Sequence, residues 1–264
     1  MGVSRLPSPD SPGKLYLVGT GPGDPGMLTE RARTALRESE YILGNGVYLD
    51  LLGPLLAGKQ VVRSAMGKEV DRARQSITLA QEHIVSLVSG GDAGIYGMAS
   101  IVLEVIAGQG IEIPLEIIPG ITAAQAAASR LGSPLSGDFV VISLSDLLTP
   151  WKEIELRLEH AFLMGVPVAI YNPRSRGRPD NLCKALEIAH RHLSDDTPVG
   201  VVRNAYREDE LVLMTTLSGV PDTMDHIDMH STVIIGGKET KFWKRGSDVK
   251  GIITPRGYHR KYLY

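Results

Sequence analysis

Short runs rich in β-branched residues alternate along this chain with longer stretches whose apolar positions recur at helical spacing. In the first half, period-two and fully apolar runs predict strands at Lys14–Gly19, Tyr41–Leu43, Gln60–Arg63, Ile84–Ser89 and Leu115–Ile118. Helical period predicts helices at Leu28–Glu38, Glu69–Glu82, Met98–Gly108 and Thr122–Arg130. The pattern then breaks at Ser129–Asp138, where glycines, serines and a proline collect. It restarts with strands at Phe139–Leu144, Pro167–Asn172, Pro198–Ala205, Leu211–Thr215 and Ser231–Gly237, and helices at Trp151–Met164 and Pro179–His192. Strands alternating with helices predict an α/β protein with two α/β domains and largely parallel sheets. We therefore expect a flexible extension at 1–13, an N-terminal domain at 14–134, a C-terminal domain at 135–240 and a solvated basic tail at 241–264.

Composition narrows the function classes. Of 264 residues, 43% are apolar and 22% charged, which is a globular balance. One cysteine, Cys183, excludes an intramolecular disulfide and a Cys-x-x-Cys pair, so a reducing, cytoplasmic setting is expected. The absence of a long apolar run argues against a membrane span. A net charge of −2 and 5% aromatics argue against a nucleic-acid partner. The histidines show no ligand spacing, and no metal is expected.

Four loops carry the candidate chemistry, each at a strand's carboxyl end, where open α/β sheets bind ligands. Gly21-Pro22-Gly23-Asp24-Pro25-Gly26 matches the G-x-G-x-x-G fingerprint by letter. A pyrophosphate loop needs free backbone N–H groups, yet Pro22 and Pro25 have none, and Asp24 puts a carboxylate where phosphate would sit. The strand ending at Asn45 also lacks an acid for a ribose, so a dinucleotide is excluded here. The simplest role for Asp24 is a helix cap with Pro25 at the first helical position. In Ser89–Gly97, "SGGDAGIYG", Gly90 and Gly91 permit close backbone approach, while Asp92 suits a ribose or an ammonium group, or else caps the next helix. Thr122 and Gln125 form a capping box opening an alanine-rich helix. Arg174, Arg176 and Arg178, after "YNP", are spaced to grip carboxylates or to lie solvated.

Together "VGTGPGDPGMLT", "SGGDAGIYG", "IPGITAAQAAASRLG" and "YNPR" resemble the tetrapyrrole (corrin/porphyrin) methyltransferase family, in order and spacing over about residues 14–237. The resemblance implies the class III fold, with S-adenosylmethionine (SAM) held in a cleft between two domains, a tetrapyrrole substrate and a homodimer. Carried over by position, Pro22, Gly90, Gly91, Asp92, Ile95, Thr122 and Ala123 would contact the cofactor. Asn172 and Ala205 would line its adenine. "EVDRARQSITLA", "GDAGIYGMA" and "SLSDLLTPW" resemble the branch that methylates C17 of precorrin-3B, or its cobalt form, with ring contraction in cobalamin biosynthesis. For that reading Arg31, Arg63, Arg174 and Arg176 are candidate grips for the substrate's carboxylates. Asp24 and Asp146, with Glu69 behind them, are the candidate acid–base groups. Uroporphyrinogen methyltransferases carry an acid where this chain has Asn45, so no proton-accepting role transfers there; Tyr48 stands nearby instead. The alternatives are another methyltransferase of this fold, acting on a different tetrapyrrole, an rRNA or a modified protein histidine, a dinucleotide-dependent reductase, and a pure binding protein for SAM or a tetrapyrrole.

Overall fold

The computed structural model describes residues 13–263, so nearly all of the expected N-terminal extension lies outside the described residues. The chain divides into two compact units, up to Thr122 and from Ala123 onward.

In the first unit, strands β1 (Lys14–Gly19), β2 (Tyr41–Asn45), β3 (Gln60–Ser64), β4 (Ile84–Ser89) and β5 (Leu115–Ile118) alternate with helices α1 (Glu30–Glu38), α2 (Gly46–Asp50), α3 (Glu69–Leu79) and α4 (Ala99–Gln109). The sheet is wholly parallel, in the order β3-β2-β4-β1-β5. Alternate side chains sort onto two cores. Tyr16, Val18, Ile42 and Val88 pack with Ala32, Ala35 and Leu36 of α1. Leu15, Leu17, Val85 and Leu87 pack with Ala73 and Ile77 of α3 and Val102 of α4. The chain leaving β1 thus crosses one face toward β2, and the chain leaving β4 crosses the other toward β5. Adjacent strands whose exits diverge open a crevice at their carboxyl ends, the standard ligand position in such sheets.

The second unit holds α5 (Ala123–Leu131), β6 (Gly132–Ser133), β7 (Val140–Ser143), α6 (Trp151–Met164), β8 (Val168–Tyr171), α7 (Asn181–His190), β9 (Pro198–Arg203), β10 (Leu211–Thr216) and β11 (Ser231–Ile235), then β12 (Lys241–Arg245) and β13 (Asp248–Ile253). Its main sheet runs β10-β9-β11-β8-β7. Only β7 and β8 pair in parallel, while β8–β11, β11–β9 and β9–β10 are antiparallel, so this sheet is mixed where a largely parallel one was expected. The link from β9 to β10 is too short for a crossover, and a hairpin is the only solution.

The boundary falls before α5 rather than at residue 134. Ala124, Ala127 and Leu131 pack on Ala169, Tyr171, Val202 and Ile234 of the second sheet. The approach is so close that a Cβ on Gly200 would lie 2.2 Å from a Leu131 methyl. The smooth alanine face is therefore filled by the sheet itself. The expected solvated tail is also corrected: β12 and β13 form a hairpin, and β13 pairs with β6. Burial of Ile252 in the α5 core holds this segment in place. No helix among the described residues is long and apolar enough to cross a membrane.

Candidate functional site

The loops leaving β1, β4 and β5 are bound to one another at the carboxyl edge of the first sheet. Gly21 N–H donates to Gly91 O (2.9 Å) and Gly91 N–H to Gly21 O (2.8 Å). Both glycines sit at positive φ, 70° and 69°, which other residues adopt only under strain. Asp92 completes the junction. Its Oδ1 accepts from Gly94 N (2.8 Å) and Ile95 N (3.1 Å), and its Oδ2 from Gly120 N (2.9 Å), beyond β5. Three of the roughly four acceptor positions on a carboxylate are thus taken. Asp92 shapes the site first, with about one lone-pair position left over. Backbone crowding explains the glycines here: a Cβ on Gly120 would stand 2.2 Å from Gly91 O, and one on Gly90 would strike the Tyr48 ring at 2.3 Å.

The remaining expected residues of this unit sort by environment. Pro22 and Thr122 are buried, Gly90 and Gly91 are half-buried, and Ile95 is exposed. Asp24 is the N-cap of the short turn Pro25–Met27, its Oδ1 accepting from Gly26 N at 2.6 Å, with Pro25 first in the turn. That is the capping role, and it occupies the carboxylate otherwise considered for acid–base work. Asn45 likewise caps α2 through Val47 N (3.0 Å). Glu69 accepts from Gly67 N (3.0 Å) and lies 3.4 Å from Arg72. Around the same edge Val47, Met66, Ile95 and Tyr96 expose apolar surface.

In the second unit the expected residues stand at the carboxyl ends of β7, β8 and β9 and at the start of α5. Asn172, at φ 50°, donates through Nδ2 to Ser143 Oγ (2.7 Å). Ala205 lies between Asn204 and Tyr206, both also at positive φ. Ala123 is the first residue of α5. The evenly spaced arginines part company: Arg174 donates to Met224 O (2.8 Å), Arg178 donates to Ser145 Oγ (2.6 Å) and faces Asp146 at 3.8 Å, and Arg176 alone extends exposed into solvent. Beside Asp146, Leu147 and Leu148 are 76% and 93% exposed, an apolar tip on a polar loop.

Two substrate candidates of the first unit behave differently from one another. Arg31 is committed to Glu116 by a bidentate pair, 2.6 Å at both bonds, in a cluster with Lys14, Tyr16 and Glu38. Its hydrogen bonds hold the Glu116 carboxyl at about 2, against an ordinary 4.5, and Glu116 in turn raises the Arg31 guanidinium. A side chain so paired cannot also clamp a ligand, so the substrate role expected of Arg31 gives way to a structural one. Arg63, near the end of β3, holds the exposed Asp50 (2.7 Å) and, more weakly, Gly46 O (3.4 Å), exposed contacts worth little and easily exchanged. One residue went unnoticed in the sequence. Arg72 of α3 is only 5% exposed and joins the loops after β3 and β4 through Ser64 Oγ (2.5 Å) and Met98 Sδ (3.7 Å), with its Nε buried and unpaired. The available signal was a charge on the helix face shared with Ala73, Ser76 and Ile77.

Comparisons with known proteins agree with one another. The family model for Tetrapyrrole (Corrin/Porphyrin) Methylases matches residues 14–221. The chain is 47% identical over 253 residues to a protein of Archaeoglobus fulgidus named cobalamin biosynthesis protein CbiHC, covering 96% of this chain but 54% of that one. It is 44% identical over 245 residues to a probable cobalt-factor III C(17)-methyltransferase of Salmonella typhimurium, covering 92% of this chain and 99% of that one. The chain thus spans about half the length of the first relative and nearly all of the second. The crystal structure of the methyltransferase CobJ superposes with a TM-score of 0.85 at 30% identity, covering 92% of this chain and 100% of that one. With the parallel sheet, the joined glycine loops and a match across both units, the chain belongs to the tetrapyrrole (corrin/porphyrin) methylases.

Proposed function

We propose that this protein is a SAM-dependent C-methyltransferase that methylates C17 of precorrin-3B or its cobalt-containing counterpart, with ring contraction, acting as a homodimer in the cytoplasm. The observation that carries the reading is the donor set at the carboxyl edge of the first sheet. Pro22, Gly90, Gly91, Asp92, Ile95 and Thr122 offer backbone groups, a carboxylate and apolar surface, and no basic side chain. That set opposes a phosphate and suits a sulfonium, an ammonium and ribose hydroxyls. The names of the relatives support the C17 substrate.

Bound SAM would supply the methyl group from its sulfonium to C17 of the macrocycle, with S-adenosylhomocysteine as the leaving product. The protein's work is positioning, which by itself is worth several orders of magnitude in rate. The Asp92 clamp and the Gly21–Gly91 bridge hold the loops that would carry the cofactor's amino-acid and ribose parts. Ala123, Asn172 and Ala205 would hold the adenine. In the first unit Arg63, held by exposed contacts alone, would orient a substrate carboxylate, and Met66 and Tyr96 offer apolar surface. In the second unit exposed Arg176, with Arg174, would do the same, and Leu147 and Leu148 offer apolar surface. For the proton transfers of ring contraction, exposed Asp146 remains the candidate and Asp24 does not.

The test is incubation of the purified protein with SAM and either precorrin-3B or cobalt-factor III, with mass spectrometry for the gain of one methyl. No product from either substrate overturns the C17 assignment. A thermal shift with NADPH and none with SAM overturns the cofactor assignment as well.

A further inference from the structure

Among the described residues, three of the four non-glycine residues at positive φ are Asn172 (50°), Asn204 (52°) and Tyr206 (59°). They follow β8 and β9 directly and flank the backbone proposed to hold adenine. Asparagine tolerates this conformation, whereas tyrosine adopts it only where the surroundings enforce it. The enforcing contacts around Tyr206 are all present. Its N–H donates to Glu210 Oε2 (2.6 Å), its hydroxyl pairs with Ser129 Oγ (2.7 Å), and its ring lies 5.0 Å from the Arg130 guanidinium. Arg130 closes the set by binding Glu210 through Nε (2.7 Å) and Nη2 (2.5 Å). Ser129 and Arg130 belong to the last turn of α5.

The opposite end of α5 is held in the same way. Ala124 N–H is one of the first-turn donors that helix geometry leaves without an intrahelical acceptor. It donates to the hydroxyl of buried Tyr171 (2.7 Å), the residue immediately before Asn172. Each tyrosine is therefore the sequence neighbour of a proposed adenine contact and a strut to the helix that begins with Ala123. The sheet alone cannot do this work. β11 lies between β8 and β9, so no ladder joins the two strands directly, and the loops beyond their ends have no ladder at all. Helix α5 is the element that spans them.

We infer that Tyr171 and Tyr206 are positioning residues that fix Ala123, Asn172 and Ala205 relative to one another as a preformed subsite for a purine base. Neither hydroxyl need touch the ligand. Recognition of a flat base by backbone groups from three separate segments demands that the segments hold within a fraction of an ångström. The inference rests on the SAM reading above.

The experiment uses the full chain with Tyr171→Phe, Tyr206→Phe and Ser129→Ala, each of which removes one hydroxyl and keeps the packing. Calorimetric titration with S-adenosylhomocysteine and with its inosine analogue reads both affinity and base discrimination. Each Phe variant is expected to weaken S-adenosylhomocysteine about fivefold and to narrow the adenine-over-hypoxanthine preference. The losses in Tyr206→Phe and Ser129→Ala are expected to be less than additive in the double variant, because the two side chains share one bond, while Ser129 Oγ also serves Ala126 O. kcat at saturating SAM should not change. Unaltered affinity and discrimination in both Phe variants, even with a lowered Tm, would overturn the inference and leave two structural tyrosines. If the wild-type chain binds neither SAM nor S-adenosylhomocysteine, the cofactor reading fails first and the struts with it.

Discussion

Asp92→Asn isolates the junction that shapes the first unit's site. Both carboxylate oxygens are in use, Oδ1 by Gly94 and Ile95 and Oδ2 by Gly120. An amide offers one acceptor and one donor group. Whichever way it turns, its NH2 confronts at least one backbone N–H. Gly94 and Ile95 are exposed and recover water, but Gly120 is half-buried against Gly91 and Gly19, where water has no room. The cheaper orientation keeps Oδ1 on Gly120 as a neutral bond and turns the NH2 toward Gly94 and Ile95; losing those two bonds to donors that recover water, and weakening the third, costs about 1–2 kcal/mol. A loss of roughly 1–2 kcal/mol is an appreciable share of a typical domain's stability. Equilibrium urea unfolding followed by circular dichroism measures it, and calorimetric titration measures the accompanying loss of SAM affinity, about two- to fivefold if half the cost falls on the bound geometry. Ala should be worse than Asn, because it leaves the Gly120 N–H with no acceptor. An Asn variant within about 0.5 kcal/mol of wild type, a shift too small for the loss of two charge-assisted bonds, that also binds SAM normally would refute the reasoning.

Crowding at the same junction predicts that Gly120→Ala, whose Cβ would meet Gly91 O at 2.2 Å, costs about 2–3 kcal/mol by urea unfolding. Gly108→Ala, in α4 with nothing within 4 Å, should instead gain about 0.5–1 kcal/mol; equal effects would sink the crowding argument. The Glu116 carboxyl is held at about 2, below its ordinary 4.5, so its contribution is full above pH 4.5 and is lost as pH falls toward 2. Discounted for its 33% exposure, that contribution is about 1–2 kcal/mol, so Glu116→Gln should be less stable than wild type by this amount at pH 7, with the gap closing below pH 4.5. A gap independent of pH counts against the ion pair. Arg176→Ala should raise KM for the tetrapyrrole severalfold and flatten its salt dependence without moving Tm, because Arg176 is exposed and extends into solvent. Arg31→Ala should do the reverse, lowering Tm with KM unchanged, and the opposite pairing of effects would reinstate Arg31 as a substrate grip.

Local pattern alone determined most of the elements. β1 and β4 run from Lys14 and Ile84 to Gly19 and Ser89, as their apolar runs predict, because strands of a sheet covered on both faces carry their burial in consecutive residues; edge strand β5, Leu115–Ile118, matches its expected bounds as well. The loop at residues 20–28 was legible too, since proline's missing N–H and the capping preference of aspartate are properties of the residues themselves. What only the tertiary structure decided involves partners distant in sequence. Gly19, Gly91 and Gly120 crowd one another across three strands, and Arg31 meets Glu116 85 residues away. An alanine-rich helix reads the same on either side of a boundary, so the side α5 joins was settled by the sheet it packs on. Strands β12 and β13 escaped notice because a mostly exposed hairpin has no apolar alternation to show, and strand direction in the second sheet has no local code at all. Side-chain identity and short-range periodicity determine what a segment can be; which groups it faces, and so which charges and carboxylates stay free for a ligand, is set by contacts that form only when the chain closes on itself.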